Sequence, residues 1–190
     1  MKDAAADAVG QQSRTSANLA RFLDLPRAPH EQQSPHGRLL RLYLDAQKED
    51  HETSLAEIKA GQKTSHWIWW EWPAYAPVRS TSQPQYDLPS CAAATAWLAH
   101  EVLGKRWADI TAAATEHLEK KRPPARLFGS GTDAAKFHES VSLASICAPH
   151  AEQRELAARA LTALGQPPHP AVVRLARAER DAEEKAVSCP

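Results

Sequence analysis

The chain has 190 residues, and its 23 Lys and Arg residues balance 23 Asp and Glu residues, so the formal net charge is zero. A balanced charge creates no global positive field, and we therefore predict no nucleic-acid partner and no anionic membrane surface as a partner. Glycine occurs only 7 times and alanine is abundant, a composition that favours helix over sheet.

Neither a membrane span nor a secretory signal is predicted. No run approaches the roughly 18 consecutive apolar residues that cross a bilayer, and the first residues lack the apolar stretch of a signal peptide. The three cysteines, Cys91, Cys147 and Cys189, are far apart and show no CxxC spacing. We expect them to be reduced thiols in a cytoplasmic protein.

The first segment, residues 1–35, is predicted to be a mobile arm, because it mixes polar residues with the helix breakers Pro26, Pro29 and Pro35. Residues 36–177 are predicted to form the helical domain. The charged residues 178–190 lack large apolar side chains, and we expect them to fray.

Apolar residues recur at helical spacing through the domain. The pattern predicts a helix over 38–48, and Ser54 with Glu57 forms the pattern of a capping box that opens a second helix ending at Gly61. Prolines then predict a long irregular connection over 67–89.

Helical spacing returns after this connection. Ser90 is the predicted N-cap of a helix that stops at Gly104, and Thr132 or Asp133 caps a later helix that runs to Cys147. Further predicted helices are the one containing Trp107, Ile110, Ala114 and Leu118, the one from Glu152 to Leu164 before Gly165, and the one beginning at Pro170. The fold class is therefore predicted as all-α, a compact single-domain bundle of about six to eight helices with a long Trp/Pro-rich loop.

The most informative text is the segment from Lys63 to Pro73, where four of the 6 tryptophans lie between residues 67 and 72. Each indole ring needs a large pocket and a partner for its N–H. One interpretation is that the rings fill the centre of an alanine-rich bundle. The other is a pocket in which flat rings contact a planar or cationic small molecule and neighbouring polar groups bind its edge.

The candidate ligand-binding residues share aromatic or polar character and proximity to this loop or to the helices that follow it. They are Lys63, Ser65, His66, Trp67, Trp69, Tyr86, His100 and Lys136. Trp67 and Trp69 would contact the ligand ring, while Ser65 and His66 would bind its polar edge, and His100 or Lys136 would complete the site.

Two other functions remain open. A hydrolase or transferase would use His66 as general base with Glu71 or another carboxylate nearby, and a protein-interaction module would use the tryptophan loop as a surface or as core. No catalytic residue, cofactor or oligomeric state follows from the sequence. The 9 histidines include no HExxH and no pair four residues apart, so no metal site is predicted.

The sequence from about Leu42 to Leu175 resembles the bacterial domain-of-unknown-function family 1810, some members of which carry the label "calpastatin". The matching text comprises Asp45-Ala46-Gln47, Leu55-Ala56-Glu57-Ile58, Ser65-His66-Trp67-Ile68-Trp69 with Pro73, Val102-Leu103-Gly104 with Arg106, and Leu127-Phe128-Gly129-Ser130. The resemblance implies a compact all-α domain and assigns no catalytic residue. The sequence departs from the family pattern at Glu71-Trp72-Pro73-Ala74, where the usual amide of the motif is missing.

Overall fold

The computed structural model describes residues 35–188, and the described residues from Arg38 onward group into one compact unit. The described residues form eight α-helices: α1 Gly37–Lys59, α2 Ile68–Glu71, α3 Cys91–Ala99, α4 Glu101–Glu119, α5 Pro124–Leu127, α6 Gly131–Cys147, α7 Ala151–Leu164 and α8 Pro170–Ser188. Between 35 and 188 there is no strand, only an isolated bridge between Tyr75 and Leu88. The predicted all-α class is confirmed, and the predicted arm lies outside the described residues apart from Pro35.

Helix α6 lies at the centre of the unit and packs against α3, α7 and α8, while α4 packs against α3 and α7. The predicted apolar face of α4 is buried, since Trp107, Ile110 and Ala114 are fully inaccessible to solvent. These contacts remove apolar surface from water and supply the main stabilisation of the bundle. No helix in the described part of the chain is both long enough and apolar enough to span a bilayer.

Helix α1 is continuous from Gly37 to Lys59, so the predicted capping box at Ser54 is wrong. The Ser54 hydroxyl donates a hydrogen bond to the carbonyl of Asp50 at 2.9 Å, one turn earlier in the same helix. This bond allows a serine to sit inside a helix. Gly61 ends the segment with φ +84° as predicted.

The boundary between the third and fourth helices lies at His100 rather than at Gly104. The His100 ring accepts hydrogen bonds from the amides of Val102 and Leu103 and caps α4. Gly104 lies inside α4, where an added Cβ would be 2.1 Å from the carbonyl oxygen of Leu98. This glycine therefore permits a close approach of two backbones and does not end a helix.

The remaining helix boundaries agree closely with the sequence pattern. Ser90 caps α3 and accepts a hydrogen bond from the amide of Ala93 at 3.1 Å. Helix α6 is capped by Ser130 instead of the predicted Thr132 or Asp133, and α7 stops at Gly165 with φ +67°.

The last helix continues to Ser188, whereas a frayed tail was expected over 178–190. Glu179 explains part of the difference, because its carboxylate accepts hydrogen bonds from the hydroxyl of Tyr75 and from the amide of Cys91, both at 2.6 Å. These two bonds attach the middle of α8 to the rest of the unit.

Cys91 and Cys147 form a disulfide, which corrects the prediction of reduced thiols. Cys91 opens α3 and Cys147 ends α6, and packing of these helices brings the two Cα atoms to 5.6 Å despite a separation of 56 residues. Both residues are buried. The disulfide removes the cysteine argument for a cytoplasmic location, and Cys189 lies outside the described residues.

Candidate functional site

The start of the tryptophan motif is attached to helix α1 by one carboxylate. Oε1 of Glu57 accepts hydrogen bonds from the hydroxyls of Thr64 and Ser65, both at 2.7 Å. Oε2 accepts from the Thr64 amide and from Nε1 of Trp67, both at 2.8 Å, and from the Ser65 amide at 3.2 Å. Partial burial opposes ionisation, but the hydrogen bonds from the Thr64 amide, the Thr64 and Ser65 hydroxyls and the Trp67 indole lower the pKa of Glu57 to about 2.

A second carboxylate joins the motif to helix α6. Oδ2 of Asp133 lies 2.7 Å from Nζ of Lys63, and its Oδ1 lies 3.3 Å from Nζ of Lys136. Both lysines are only 8% exposed. Two ammonium groups therefore share one carboxylate at the first turn of α6, where the amino-terminal end of the helix dipole adds positive potential.

The same two lysines lie against the indole rings of the motif. Nζ of Lys63 is 5.3 Å from the centre of the Trp67 ring, and Nζ of Lys136 is 4.8 Å from the centre of the Trp69 ring. Both distances are within the range of cation–π attraction. The chain thus supplies its own cations to these two rings.

Two of the four tryptophans belong to the core. Trp67 is 1% exposed and Trp72 is fully buried, with their ring centres 5.6 Å apart. Trp72 also packs edge-on against Phe128 and Phe137, and its Nε1 donates to the hydroxyl of Thr111 at 2.9 Å. The prediction that the rings fill the centre of the bundle therefore holds for Trp67 and Trp72.

The other two tryptophans are half-buried. Trp69 and Trp70 lie with their ring centres 5.9 Å apart. Trp70 contacts the ring of Tyr86 at 5.3 Å, and the hydroxyl of Tyr43 donates a hydrogen bond to the carbonyl of Tyr86. The predicted residue Tyr86 is thereby connected to the motif through Trp70.

The structure thus brings five of the eight predicted site residues around two carboxylates, Glu57 and Asp133. These five are Lys63, Ser65, Trp67, Trp69 and Lys136. His66 is exposed and forms no hydrogen bond with any residue between 35 and 188. His100 lies at the junction of α3 and α4 as the cap of α4.

The enzyme hypothesis named Glu71 as one possible carboxylate partner of His66, but Glu71 pairs with a different histidine. Its carboxylate is fully buried, and both of its oxygens lie 3.1 Å from Nδ1 of His51 on α1. Burial raises the pKa of Glu71 despite the opposing effect of His51. Glu71 and His51 therefore form a buried pair that joins α1 and α2.

Sequence reasoning missed the organising roles of Glu57 and Asp133. The sequence contained one feature that indicated each of these roles. Glu57 precedes the turn at Gly61 by four residues and is followed by a cluster of hydroxyl donors, and Asp133 precedes Lys136 by one helical turn. Nothing in the sequence linked His51 to Glu71.

A cleft of about 610 Å³ lies elsewhere, beside the carboxyl end of α6. Its lining includes Cys147, Arg154, Arg180 and Glu183, and none of the predicted site residues. Both arginines donate hydrogen bonds to carbonyl groups at the end of α6 or just after it.

The described residues contain no group of three or more His, Cys, Asp or Glu side chains that could hold a metal ion.

Comparison with solved structures supports the fold. The chain is similar to the conserved hypothetical protein Rv1873 from Mycobacterium tuberculosis, with a TM-score of 0.65 and 24% sequence identity over 73% of this chain and 96% of that chain. No curated protein matches the sequence. The family model described as "Protein of unknown function (DUF1810)" matches residues 38–164, about two thirds of the chain, and the protein therefore belongs to this family.

Proposed function

We propose that the protein binds a small planar anion at a site formed by Lys63, Lys136 and Trp69 beside the first turn of α6. The observation that carries this proposal is that two buried ammonium groups share the single carboxylate of Asp133. One positive charge is left over at the end of a helix that itself attracts anions. A ligand carboxylate or phosphate would neutralise that charge.

The same contacts favour an anion over the cationic ligand that the sequence also allowed. An aromatic cage recognises a cation through open ring faces. Here Lys63 and Lys136 already lie over the rings of Trp67 and Trp69. A second cation would be repelled by these ammonium groups at short range.

The planar character of the ligand is inferred from Trp69, because its half-buried ring offers apolar contact next to the lysines. Gly131 leaves open space at the start of α6, since an added Cβ there would meet no atom within 4 Å. Exposed His66 and half-buried Ser65 would contact the rim of the ligand. Trp67 would support the site from the core and not touch the ligand.

Binding is favoured over the two alternatives. The enzyme hypothesis needed Glu71 or another carboxylate near His66, but Glu71 is engaged with His51, and exposed His66 forms no hydrogen bond with any residue between 35 and 188. An interaction module would use a broad apolar surface, whereas Trp67 and Trp72 are buried.

The proposal is tested by calorimetric titration with adenosine 5′-monophosphate, ribose 5-phosphate, adenosine, benzoate and spermidine. We expect a planar anion to bind more tightly than the uncharged adenosine or the nonaromatic sugar phosphate. Lys136→Met should weaken that binding by about 10- to 100-fold, the usual loss when a charged hydrogen bond is removed. Lys105→Met is the matched control, because Lys105 is exposed and pairs only with Asp109 on its own helix.

Two results would overturn the proposal. One is tighter binding of spermidine or adenosine than of either planar anion. The other is absence of binding by both planar anions to a wild-type protein that unfolds cooperatively, which would leave Lys63, Asp133 and Lys136 a structural role alone.

A further inference from the structure

The cleft at the carboxyl end of α6 is lined by Arg154, whose guanidinium is held in a fixed orientation. Its Nη1 donates to the carbonyls of Ala148 and Pro149, at 2.7 and 2.9 Å. Its Nε and Nη2 form no hydrogen bond with any residue between 35 and 188. These two nitrogens form the edge that can bind a carboxylate through two parallel hydrogen bonds. Arg159, further along α7, binds the carboxylate of Glu119 with this same edge, at 2.6 and 2.7 Å.

Three further charged side chains line the same cleft, namely Arg180, Glu183 and Glu184 of α8. Nη2 of Arg180 lies 3.7 Å from Oε1 of Glu184, so these two charges offset each other. Arg154 and Glu183 form no ion pair with any residue that the structure describes. One positive and one negative charge therefore line one cavity without an ion-pair partner in the described part of the chain.

The uncharged part of the lining is fixed by bonds between helices. The hydroxyl of Thr95 on α3 donates to the carbonyl of Cys147 at 2.7 Å, and Cys147 is joined to Cys91 by the disulfide. Both Thr95 and Cys147 line the cleft. The oxygen of the Thr95 hydroxyl can still accept a hydrogen bond. A preorganised lining around a volume of about 610 Å³ is typical of a small-molecule site.

We propose that this cleft is a second ligand site, specific for a small zwitterion, namely an α-amino acid whose side chain carries a hydrogen-bond donor. Nε and Nη2 of Arg154 donate to the ligand carboxylate, and the carboxylate of Glu183 accepts from the ligand ammonium group. The Thr95 hydroxyl accepts from the ligand side chain, for example from the amide of glutamine. A simple anion would leave Glu183 unpaired and a simple cation would leave Arg154 unpaired, so the cleft favours a ligand with both charges.

The test compares L-glutamine with N-acetyl-L-glutamine, which lacks the ammonium group, and with L-glutaminamide, which lacks the carboxylate. Binding to the full chain is followed by the chemical-shift changes of its amide signals during titration. We expect L-glutamine to bind at least about 3-fold more tightly than either analogue, because each analogue loses one ion pair at an exposed site. Glu183→Gln should weaken the binding of L-glutamine by about 3-fold and leave the binding of N-acetyl-L-glutamine unchanged.

Arg154→Met should weaken the binding of L-glutamine by about 10-fold or more, and Arg174→Met is the matched control, because Arg174 is exposed on α8 and does not line the cleft. Lys136→Met should leave the affinity unchanged, which separates this cleft from the proposed site at Lys63 and Lys136. If Arg154→Met does not fold, Glu183→Gln still decides, because Glu183 is exposed. The proposal would be overturned by a wild-type protein that shows no shifts with L-glutamine, by equal affinity for the three compounds, by unchanged affinity in Glu183→Gln, or by loss of binding in Lys136→Met.

Discussion

Replacement of Glu57 by glutamine tests whether one carboxylate fixes the start of the tryptophan motif. Glu57 accepts five hydrogen bonds from Thr64, Ser65 and Trp67. Glutamine is uncharged and offers one oxygen acceptor in place of two. Its NH2 group can donate to the Thr64 and Ser65 hydroxyls, but the two backbone amides and the Trp67 N–H cannot accept from it, so the donors lose their charged acceptor. The Trp67 indole N–H would then lack a charged acceptor at a position where the ring is buried.

The magnitude follows from the pKa of Glu57, which is lowered from 4.5 to about 2. At about 1.4 kcal/mol per pKa unit this would correspond to about 3 kcal/mol, but the carboxylate is partly exposed and solvent screening reduces the value to about 1–2 kcal/mol. Because the folded-state pKa is below the unfolded-state value, this stabilisation is complete above about pH 4.5. It is lost as the pH falls towards 2.

The assay is urea unfolding of wild type and Glu57→Gln between pH 7 and pH 3, followed by circular dichroism. We expect the variant to have a free energy of unfolding about 1–2 kcal/mol lower at pH 7, and the gap to narrow as the pH falls below about 4.5. Glu155→Gln is the control, because Glu155 is exposed on α7. The same pH dependence in wild type and Glu57→Gln would refute the reasoning.

The remaining predictions concern backbone packing and the cross-link. Gly104→Ala should destabilise the protein by about 3 kcal/mol or more in urea unfolding, because its Cβ would be 2.1 Å from the carbonyl of Leu98. Gly131→Ala is the matched case with open space and should be neutral or stabilising by up to about 1 kcal/mol. Equal effects of the two changes would contradict the packing argument. Reduction of the Cys91–Cys147 disulfide should lower the Tm by about 10 °C, since it closes a loop of 56 residues, and an unchanged Tm after complete thiol labelling would count against the cross-link.

Local rules predicted much of the fold because they depend on neighbouring residues. The N-cap at Ser90 and the left-handed glycine at Gly165 need only a few adjacent positions, and both lie where the pattern put them. The errors came from contacts distant in sequence. Gly104 was predicted to end a helix, but it is a glycine because the carbonyl oxygen of Leu98 leaves no room for a Cβ atom at this position.

The cysteines illustrate the same difficulty. Neither composition nor spacing relates Cys91 to Cys147, because 56 residues separate them. Their proximity depends on packing of α3 against α6, and packing direction is a property of the whole bundle. A rule based on the number and spacing of cysteines therefore could not find the pair.

For the candidate site, the sequence identified the aromatic residues but not their surroundings. The cluster of tryptophans in the sequence indicated unusual packing, yet the sequence could not distinguish buried Trp67 from half-buried Trp69. The sequence also could not show that Lys63 and Lys136 both contact the carboxylate of Asp133, because the two lysines lie 73 residues apart in the chain. The charge of the candidate site, and with it the charge of the proposed ligand, depends on the approach of both lysines to Asp133.

The loop that carries Lys63 has little regular backbone structure, and its order must come from other contacts. The amide of Lys63 donates to the carbonyl of Leu127 at 2.7 Å, and the next two amides donate to Glu57. Three successive donors are therefore satisfied by groups on two different helices. A loop fixed in this way loses little further conformational entropy on binding. Lys63 is consequently preorganised beside Asp133, and its ammonium group can contribute to affinity without a large ordering cost.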